Sequence, residues 1–393
     1  MPLDADAREE RAQWLRLTLT AGLGPMGVRR LLEAFGLPED VLAAGRTRIA
    51  AVLDAPRAAA LLSDDDERDA RIAATLEWAH ADGHHLITLS DAAYPRPLLQ
   101  IGDPPPLLYV RGAPETLSKD LIAVVGSRHA TPGGEANAHD FARALADEGL
   151  TVCSGLARGI DGAAHRGALE GRAGTLAVVG TGVDRVYPAA HRSLAQAIVA
   201  RGAVVSELPL GTGVTRANFP RRNRLIAGLS LGVLVVEAAP HSGSLITARH
   251  AAEYGREVMA VPGSIHSPVA RGCHRLIREG ARLVESAEDV LVELRGQMRS
   301  AAPHAAPASR RGRRTGAEAD DLRGGETRPA PADPRTASVW QAIGWDPVYP
   351  DALVARTALD AGTVAGALLE LELAGLVERR DDGRYVRRKP APA

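Results

Sequence analysis

Cysteine is almost missing from this chain of 393 residues: Cys153 and Cys273 are the two copies. That is too few for a disulfide framework or a cysteine-rich zinc site. Lysine is as scarce, with Lys119 and Lys389 the two copies among 47 basic residues. Nearly all positive charge is therefore arginine, whose planar fork of donors suits phosphate; a genome-wide compositional bias would leave the same mark. Phenylalanine occurs three times, as Phe35, Phe141 and Phe219. No apolar run reaches the roughly 18–20 residues that span a membrane as a helix. The opening MPLDADAREERAQ is acidic and polar, without the basic-then-apolar layout of a signal peptide. The expected setting is the cytoplasm, with no membrane contact.

The catalytic signatures are missing as well. No GxxxxGK[ST] loop exists, which excludes a P-loop nucleotidase, and no GxSxG elbow or SxxK pair is present. Gly180-Thr181-Gly182 lacks the third glycine of a dinucleotide fingerprint. His80, His84, His85, His266 and His274 show no metal-binding spacing. Asp161 and Glu237 fall near strand ends, where a base could sit, but an acidic residue in a first helical turn has a simpler role in stabilising its own helix. The expectation is no catalytic residue, no cofactor and no metal.

What is present is unevenly placed charge. The chain carries a net −1, yet residues 121–235 hold 12 arginines against 8 acidic groups, while residues 1–120 hold 13 basic and 19 acidic ones. The positive charge sits in the middle, as an anion-binding domain requires.

The pattern of elements divides the chain into five parts. Residues 1–90 are rich in Ala and Leu and read as a helical domain; its GLGPMGVRRLLEAFG (22–36) has the form of a helix-hairpin-helix turn or of a plain helical connector. Residues 91–120 carry too many prolines for a helix and form a connector ending in a short strand. From 121 to 295, short apolar runs (LIAVVG, TVCSG, TLAVVG, AVVSE, GVLVVE, EVMAVPG) alternate with helical stretches. Continuously apolar strands with helices between them mean a mainly parallel sheet covered on both faces, a doubly wound Rossmann-like α/β domain. Residues 296–335 are Ala, Pro, Arg and Gly without periodicity, a linker. Residues 336–393 offer three helices and a hairpin around Asp382-Gly383, a winged-helix layout.

Ligands of such sheets bind beyond the carboxyl ends of the strands. At those ends this chain places GSRHATPGG (126–134), SGLARGIDGAAH (154–165), GTGVDRVYP (180–188), SGSLITA (242–248) and PGS (262–264). Each sets Gly and Ser at the mouth of a helix, where free N–H groups and the helix dipole favour an anion. Gly126, Ser127, Arg128, Ser154, Gly155, Arg158, Ser242, Gly243 and Ser244 are the candidate contacts in these loops. The segment RANFPRRNRLIAGLS (216–230) adds an aromatic ring among guanidiniums: Arg216, Phe219, Arg221, Arg222, Asn223 and Arg224. Stacking plus charge neutralisation is what an unpaired base and its flanking phosphates need. The alternative is a core phenylalanine beneath a solvated arginine face.

GSRHATPGG, SGLARGIDGAAH, FPRRNRLIAGLS and SGSLITA, in this order and spacing, resemble the DprA/Smf family of bacterial DNA-processing proteins. YPRPLL and PPPLLYVRG are also similar to that family's connector, so the likeness is detailed over 90–295 and looser at the ends. The resemblance implies an extended Rossmann fold that binds single-stranded DNA, protects incoming strands in natural transformation and delivers a RecA-type recombinase onto them. It also implies a homodimer through the Rossmann domain, contact with other DNA-uptake or single-strand-binding proteins, and no catalysis. Residue by residue, the family's motif arginine falls on Arg128, its basic residue three before the aromatic on Arg216, and the aromatic on Phe219. The chain departs from the pattern at Cys273, where the family usually has Asn.

The third helix of the winged module carries Glu370 and Glu372 but no Arg or Lys, whereas Arg379, Arg380, Arg384, Arg387 and Arg388 lie on the hairpin and tail. A major-groove reader needs donors on that helix, so the module is expected to touch a backbone or a protein partner. The competing class is a nucleotide-processing hydrolase on a related fold, such as the lysine-decarboxylase-like phosphoribohydrolases. Their PGGxGT run with a following Glu would correspond here to SGSLITARHAAE, with Glu253 well down the helix.

Overall fold

The structure, a computed structural model, describes residues 5–265, 267–298, 333–343 and 347–388. The chain divides into two compact units, Met1–Ala302 and Pro303–Ala393. Most of the expected linker, 296–335, lies outside the described residues.

The first unit begins with six helices: α1 (Ala5–Leu19), α2 (Gly24–Phe35), α3 (Pro38–Ala43), α4 (Arg46–Val52), α5 (Ala55–Leu62) and α6 (Asp66–Ala79). Polar starts punctuate them, as Asp54 and Asp65 accept from the N–H groups of Arg57 and Arg68 to cap α5 and α6. Leu17, Val28, Leu31, Val41, Ile49 and Leu61 form their shared core.

The chain then enters the sheet by an antiparallel edge, β1 (His84–Thr88) and β2 (Leu107–Gly112). Here the helical reading of 1–90 is corrected, because residues 84–88 are a strand. Five residues are too few to show a period, and pairing with β2 (Leu86 opposite Tyr109) decides their conformation.

Strands and helices then alternate: β3 (Leu121–Val125), α7 (Pro132–Asp147), β4 (Thr151–Ser154), α8 (Ile160–Glu170), β5 (Thr175–Val178), α9 (Arg192–Arg201) and β6 (Ala203–Ser206). After these come α10 (Asn218–Leu229), β7 (Gly232–Val235), α11 (Ser244–Glu253), β8 (Glu257–Ala260) and α12 (Arg271–Arg278). The unit ends with β9 (Arg282–Leu283) and α13 (Ala287–Leu294), which the sequence pattern did not separate.

Among the described residues the sheet has nine strands in the order β1-β2-β6-β5-β4-β3-β7-β8-β9, parallel from β6 through to β9. Within β3, Ile122 and Val124 meet Phe141, Leu145, Ile160 and Val290 on one face. Leu121, Ala123 and Val125 meet Leu225, Leu245 and Leu276 on the other. Two-sided burial explains the continuous apolar strands. Winding reverses between β3 and β7, which opens a crevice beyond their carboxyl ends.

The second unit consists of α14 (Pro334–Ile343), α15 (Pro350–Thr357) and α16 (Ala361–Leu373), followed by β10 (Val377–Arg379) and β11 (Tyr385–Arg387). Val339, Leu353, Val364, Leu368 and Leu371 fill its core. Gly383, at φ 80°, makes the turn between the strands. This is the winged helix.

Candidate nucleic-acid interface

The crevice at the β3/β7 switch is a cleft of about 740 Å³. Gly126, Ser127 and Arg128 form one wall and the Ser242–Ser244 turn another. Between them α10 presents Phe219, Arg222, Asn223 and Ile226, residues spaced three, four and seven apart and so on a single face. Arg216 lies just ahead of that helix on the cleft rim.

The backbone holds the first wall firmly. Ser127 N–H donates to Glu237 O at 2.7 Å, Ser127 O accepts from Ile160 N–H, and Ser127 Oγ accepts from His129 N–H. Arg128 is thereby aimed at Phe219, with its guanidinium carbon 5.0 Å from the ring centroid. Tyr187 is tilted against that ring, with centroids 5.8 Å apart. Phe219 is half-buried and Tyr187 is 46 % exposed. The ring is therefore not a core residue but part of an aromatic and cationic platform open to solvent. Among the described residues neither Arg128 nor Arg216 makes an ion pair. The sequence reading missed Tyr187; the clue was an aromatic in a loop already chosen for its glycines.

Arg222 lies beneath the platform, 4 % exposed, donating from Nη1 to Val178 O at 2.8 Å while its Nε finds no partner among the described residues. Burial lowers its pKa and raises that of Asp161, and each charge pulls the other back. A Cβ on Gly155 would come within 1.7 Å of Arg222 Nη1, so a larger residue there would displace the guanidinium or the loop. Gly155 is thus floor support rather than a contact. The cleft floor is a desolvated cation, which an anionic ligand would satisfy.

Several expected contacts fall elsewhere. Ser154 is fully buried and donates to Val124 O at 2.7 Å, serving the sheet. Arg158 is exposed and lies outside the cleft lining. Arg221 and Arg224 occupy the opposite side of α10 and bind Glu207, with Arg224 also reaching Asp103. Of the five helix mouths, α7's is filled by the chain itself: Glu237 accepts from Thr131 N–H at 2.9 Å and from its hydroxyl at 2.6 Å. A phosphate has no room at a mouth already holding a carboxylate. Asp161, in the first turn of α8, accepts instead from Ala157 N–H in the loop ahead of that helix, and it lines the cleft. Pro262–Ser264 lies away from the cleft.

The entrance to α11 is different. A Cβ at Gly243 would meet nothing within 4 Å, the Ser242 and Ser244 hydroxyls lie 2.7 Å apart, and Asn223 Nδ2 donates to Gly243 O to tie α10 to this turn. This helix start lines the same cleft as Phe219, Tyr187, Arg128, Arg216 and Arg222. Glu253 sits at the far end of α11, bonded to His250, and does not line the cleft. Cys273 is buried with its thiol directed to Val235 O, and burial pushes its pKa up to about 12. No cluster of metal-ligating side chains occurs among the described residues.

Residues 85–295, which contain the cleft and all of the sheet but His84, match the family model for DNA recombination-mediator protein A, and residues 326–383 match the DprA winged helix domain. The chain belongs to the DprA/Smf family. It is 34 % identical to Protein Smf of Synechocystis over 406 aligned positions, covering 97 % of this chain and 100 % of that one. It is 46 % identical to DNA processing protein DprA of Streptococcus pneumoniae over 206 positions, 52 % of this chain and 73 % of the relative. The solved structure of the Streptococcus pneumoniae protein superposes with a TM-score of 0.63 at 38 % identity, covering 72 % of this chain and 97 % of that one. DNA processing protein A of Helicobacter pylori, whose structure was described for its single-stranded DNA binding mode, gives 0.50 at 27 % identity, over 56 % and 99 %.

Proposed function

We propose that the cleft binds single-stranded DNA as a non-catalytic site. The observation that carries this is the half-buried Phe219 ring beside Arg128 and Tyr187, in a cleft that Arg216 and Arg222 also line. Such a platform takes an unpaired base by stacking and its phosphates by charge. A paired base cannot reach it, so single strands should be preferred over duplex. The Helicobacter pylori relative supports the reading, being described for this kind of binding. The hydrolase alternative loses ground because Glu237 is spent on the α7 start, Asp161 faces the Arg222 charge and Glu253 is remote.

On this reading the protein works in the cytoplasm as a homodimer through its Rossmann domain. It shields incoming strands and passes them to a RecA-type recombinase during transformation and recombination, alongside other DNA-uptake or single-strand-binding proteins. Fluorescence anisotropy with labelled single- and double-stranded oligonucleotides at two salt concentrations tests the core of it. Binding should favour the single strand and weaken steeply with salt. Equal affinity for duplex, or free base released from nucleoside monophosphates, would overturn it.

A further inference from the structure

The cleft face of α10 works only if the helix is held in place from behind, and the back face is built from charge. Arg221 and Arg224 leave α10 on the side away from Phe219, Arg222 and Asn223. Both converge on Glu207, one residue beyond β6: Arg224 Nη2 lies 2.5 Å from Oε2 and Arg221 Nε lies 3.2 Å from Oε1. The Glu207 and Arg224 side chains are 4 % and 5 % exposed, so the pair is buried. Arg224 Nε also reaches Asp103 at 3.0 Å, on the proline-rich connector, whose Tyr94 hydroxyl donates to Pro105 O. Gly228 lies against Ile101 and Leu98 of the same segment, where a Cβ would come within 2.8 Å. Arg224 Nη1 has no acceptor among the described residues, so its buried charge depends on Glu207 and Asp103.

We propose that Glu207 is a positioning residue for the DNA cleft, locking α10 through Arg221 and Arg224 in the register that presents Phe219 and Arg222 to the strand. The role rests on the single-stranded DNA reading above, but the clamp itself is a property of the fold. Removing one partner of a buried ion pair leaves the other charge uncompensated, whereas replacing both removes the conflict. A clamp of this kind therefore predicts that the second substitution repairs the first.

The three phenylalanines make the test direct, because full-length protein labelled with para-fluorophenylalanine gives three fluorine resonances, and Phe219→Leu identifies the one in the cleft. Glu207→Gln should shift or broaden the Phe219 signal and leave those of Phe35 and Phe141 in place. It should also weaken oligo(dT) binding on the order of tenfold, the coupling typical of residues in one network. Glu207→Gln with Arg224→Gln should move both readouts back toward wild type. An unchanged Phe219 signal in the single variant, or a double variant no closer to wild type than the single, overturns the proposal. Should Glu207→Gln fail to fold, seen as loss of all three signals, Arg221→Gln carries the test. It removes one arm from a side chain 43 % exposed and should displace only the Phe219 signal; no displacement overturns the clamp. Wild-type protein that ignores oligo(dT) would remove the DNA reading while the fluorine spectra still decide on Glu207.

Discussion

Arginines crowd both the cleft of the first unit and the wing of the second, yet they are held in opposite ways. In the cleft, Arg128 lies over Phe219 and Arg216 is exposed, and neither forms an ion pair among the described residues. In the wing, Arg384 donates to Asp382 at 2.8 Å, Arg388 pairs with Glu378 at 3.1 Å, and Arg387 lies 4.1 Å over the Trp340 ring. Similar composition thus gives a surface whose donors await an anion and one whose donors are largely committed to their own domain. Arginine count locates neither; partner satisfaction separates them.

The largest contrast should come from the platform. Arg128→Ala combined with Phe219→Ala removes a stacking surface worth roughly 1–3 kcal/mol and a charge-assisted contact worth roughly 1.5–3 kcal/mol. Single-strand affinity should fall on the order of a hundredfold or more, with the melting temperature little changed because both side chains are at the surface. Anisotropy titration beside a thermal melt checks both parts. Loss of affinity below about fivefold would place the strand elsewhere.

Acid should separate the units next. His165 is fully buried in the first unit, with Nε2 accepting from Leu156 N–H and Nδ1 bonded to Thr175, and burial pushes its pKa down to about 3. An unfolded histidine takes up its proton near pH 6.5. Between those values the unfolded chain binds the extra proton, so stability falls as pH drops through 6.5 toward 3, by up to about 1.4 kcal/mol per unit. From residue 333 onward the sequence has no histidine. There the shifted carboxylates Asp333, Asp360 and Asp382 lie below their ordinary value through hydrogen bonds to Thr336, Thr363 and Arg384, so that unit weakens only as pH falls below about 4. Calorimetry between pH 7 and 4.5 should show the first unit's transition moving down while the second stays. His165→Asn should flatten the slope of the first; parallel movement of both transitions would contradict the assignment.

Gly155→Ala probes the cleft floor with a smaller perturbation. The added methyl meets Arg222 Nη1, so the guanidinium must leave Val178 O or the loop must move. Overpacking of this kind costs about 1–3 kcal/mol of stability. Single-strand affinity should fall with it, since the displaced cation faces the cleft. Unchanged stability would mean that Arg222 relocates freely.

These comparisons also mark what the sequence could tell. Six apolar runs and the helices between them were readable because two-sided burial leaves a continuous signature; Arg128, Arg216 and Phe219 all line the cleft, although Arg216 stands ahead of α10 and not on its face. The back face of α10 was not readable. Arg221, Arg222, Asn223 and Arg224 are adjacent in sequence, but a helix sends Arg222 and Asn223 to the cleft and Arg221 and Arg224 to Glu207. The partner that draws them away lies 14 and 17 residues earlier, in a different strand's tail. The plugged mouth of α7 was hidden likewise, since Glu237 reaches Thr131 across 106 residues of chain. β1 escaped notice because its five residues acquire their conformation from β2.

The smallest expected effect belongs to the wing, and it decides whether the contrast between the two arginine sets holds. α16, which would enter a major groove in a DNA-reading winged helix, bears Glu370 and Glu372 and leaves Leu369 and Leu373 exposed. The Glu370 carboxylate accepts from the Thr336 hydroxyl at 2.7 Å, which turns it toward its own domain. Arg379 is exposed and Arg380 half-buried on the hairpin, far in charge and shape from a base-reading helix. Replacing both with Ala should change single-strand affinity by less than about twofold, because a solvated surface charge that does not contact the strand contributes little. The slope of log affinity against log salt should also stay as it was, whereas each lost phosphate contact to a single strand would lower it by about 0.7. A drop in that slope of more than one unit would show the wing holding phosphates in the complex, and the contrast with the cleft would then be confined to Arg384, Arg387 and Arg388.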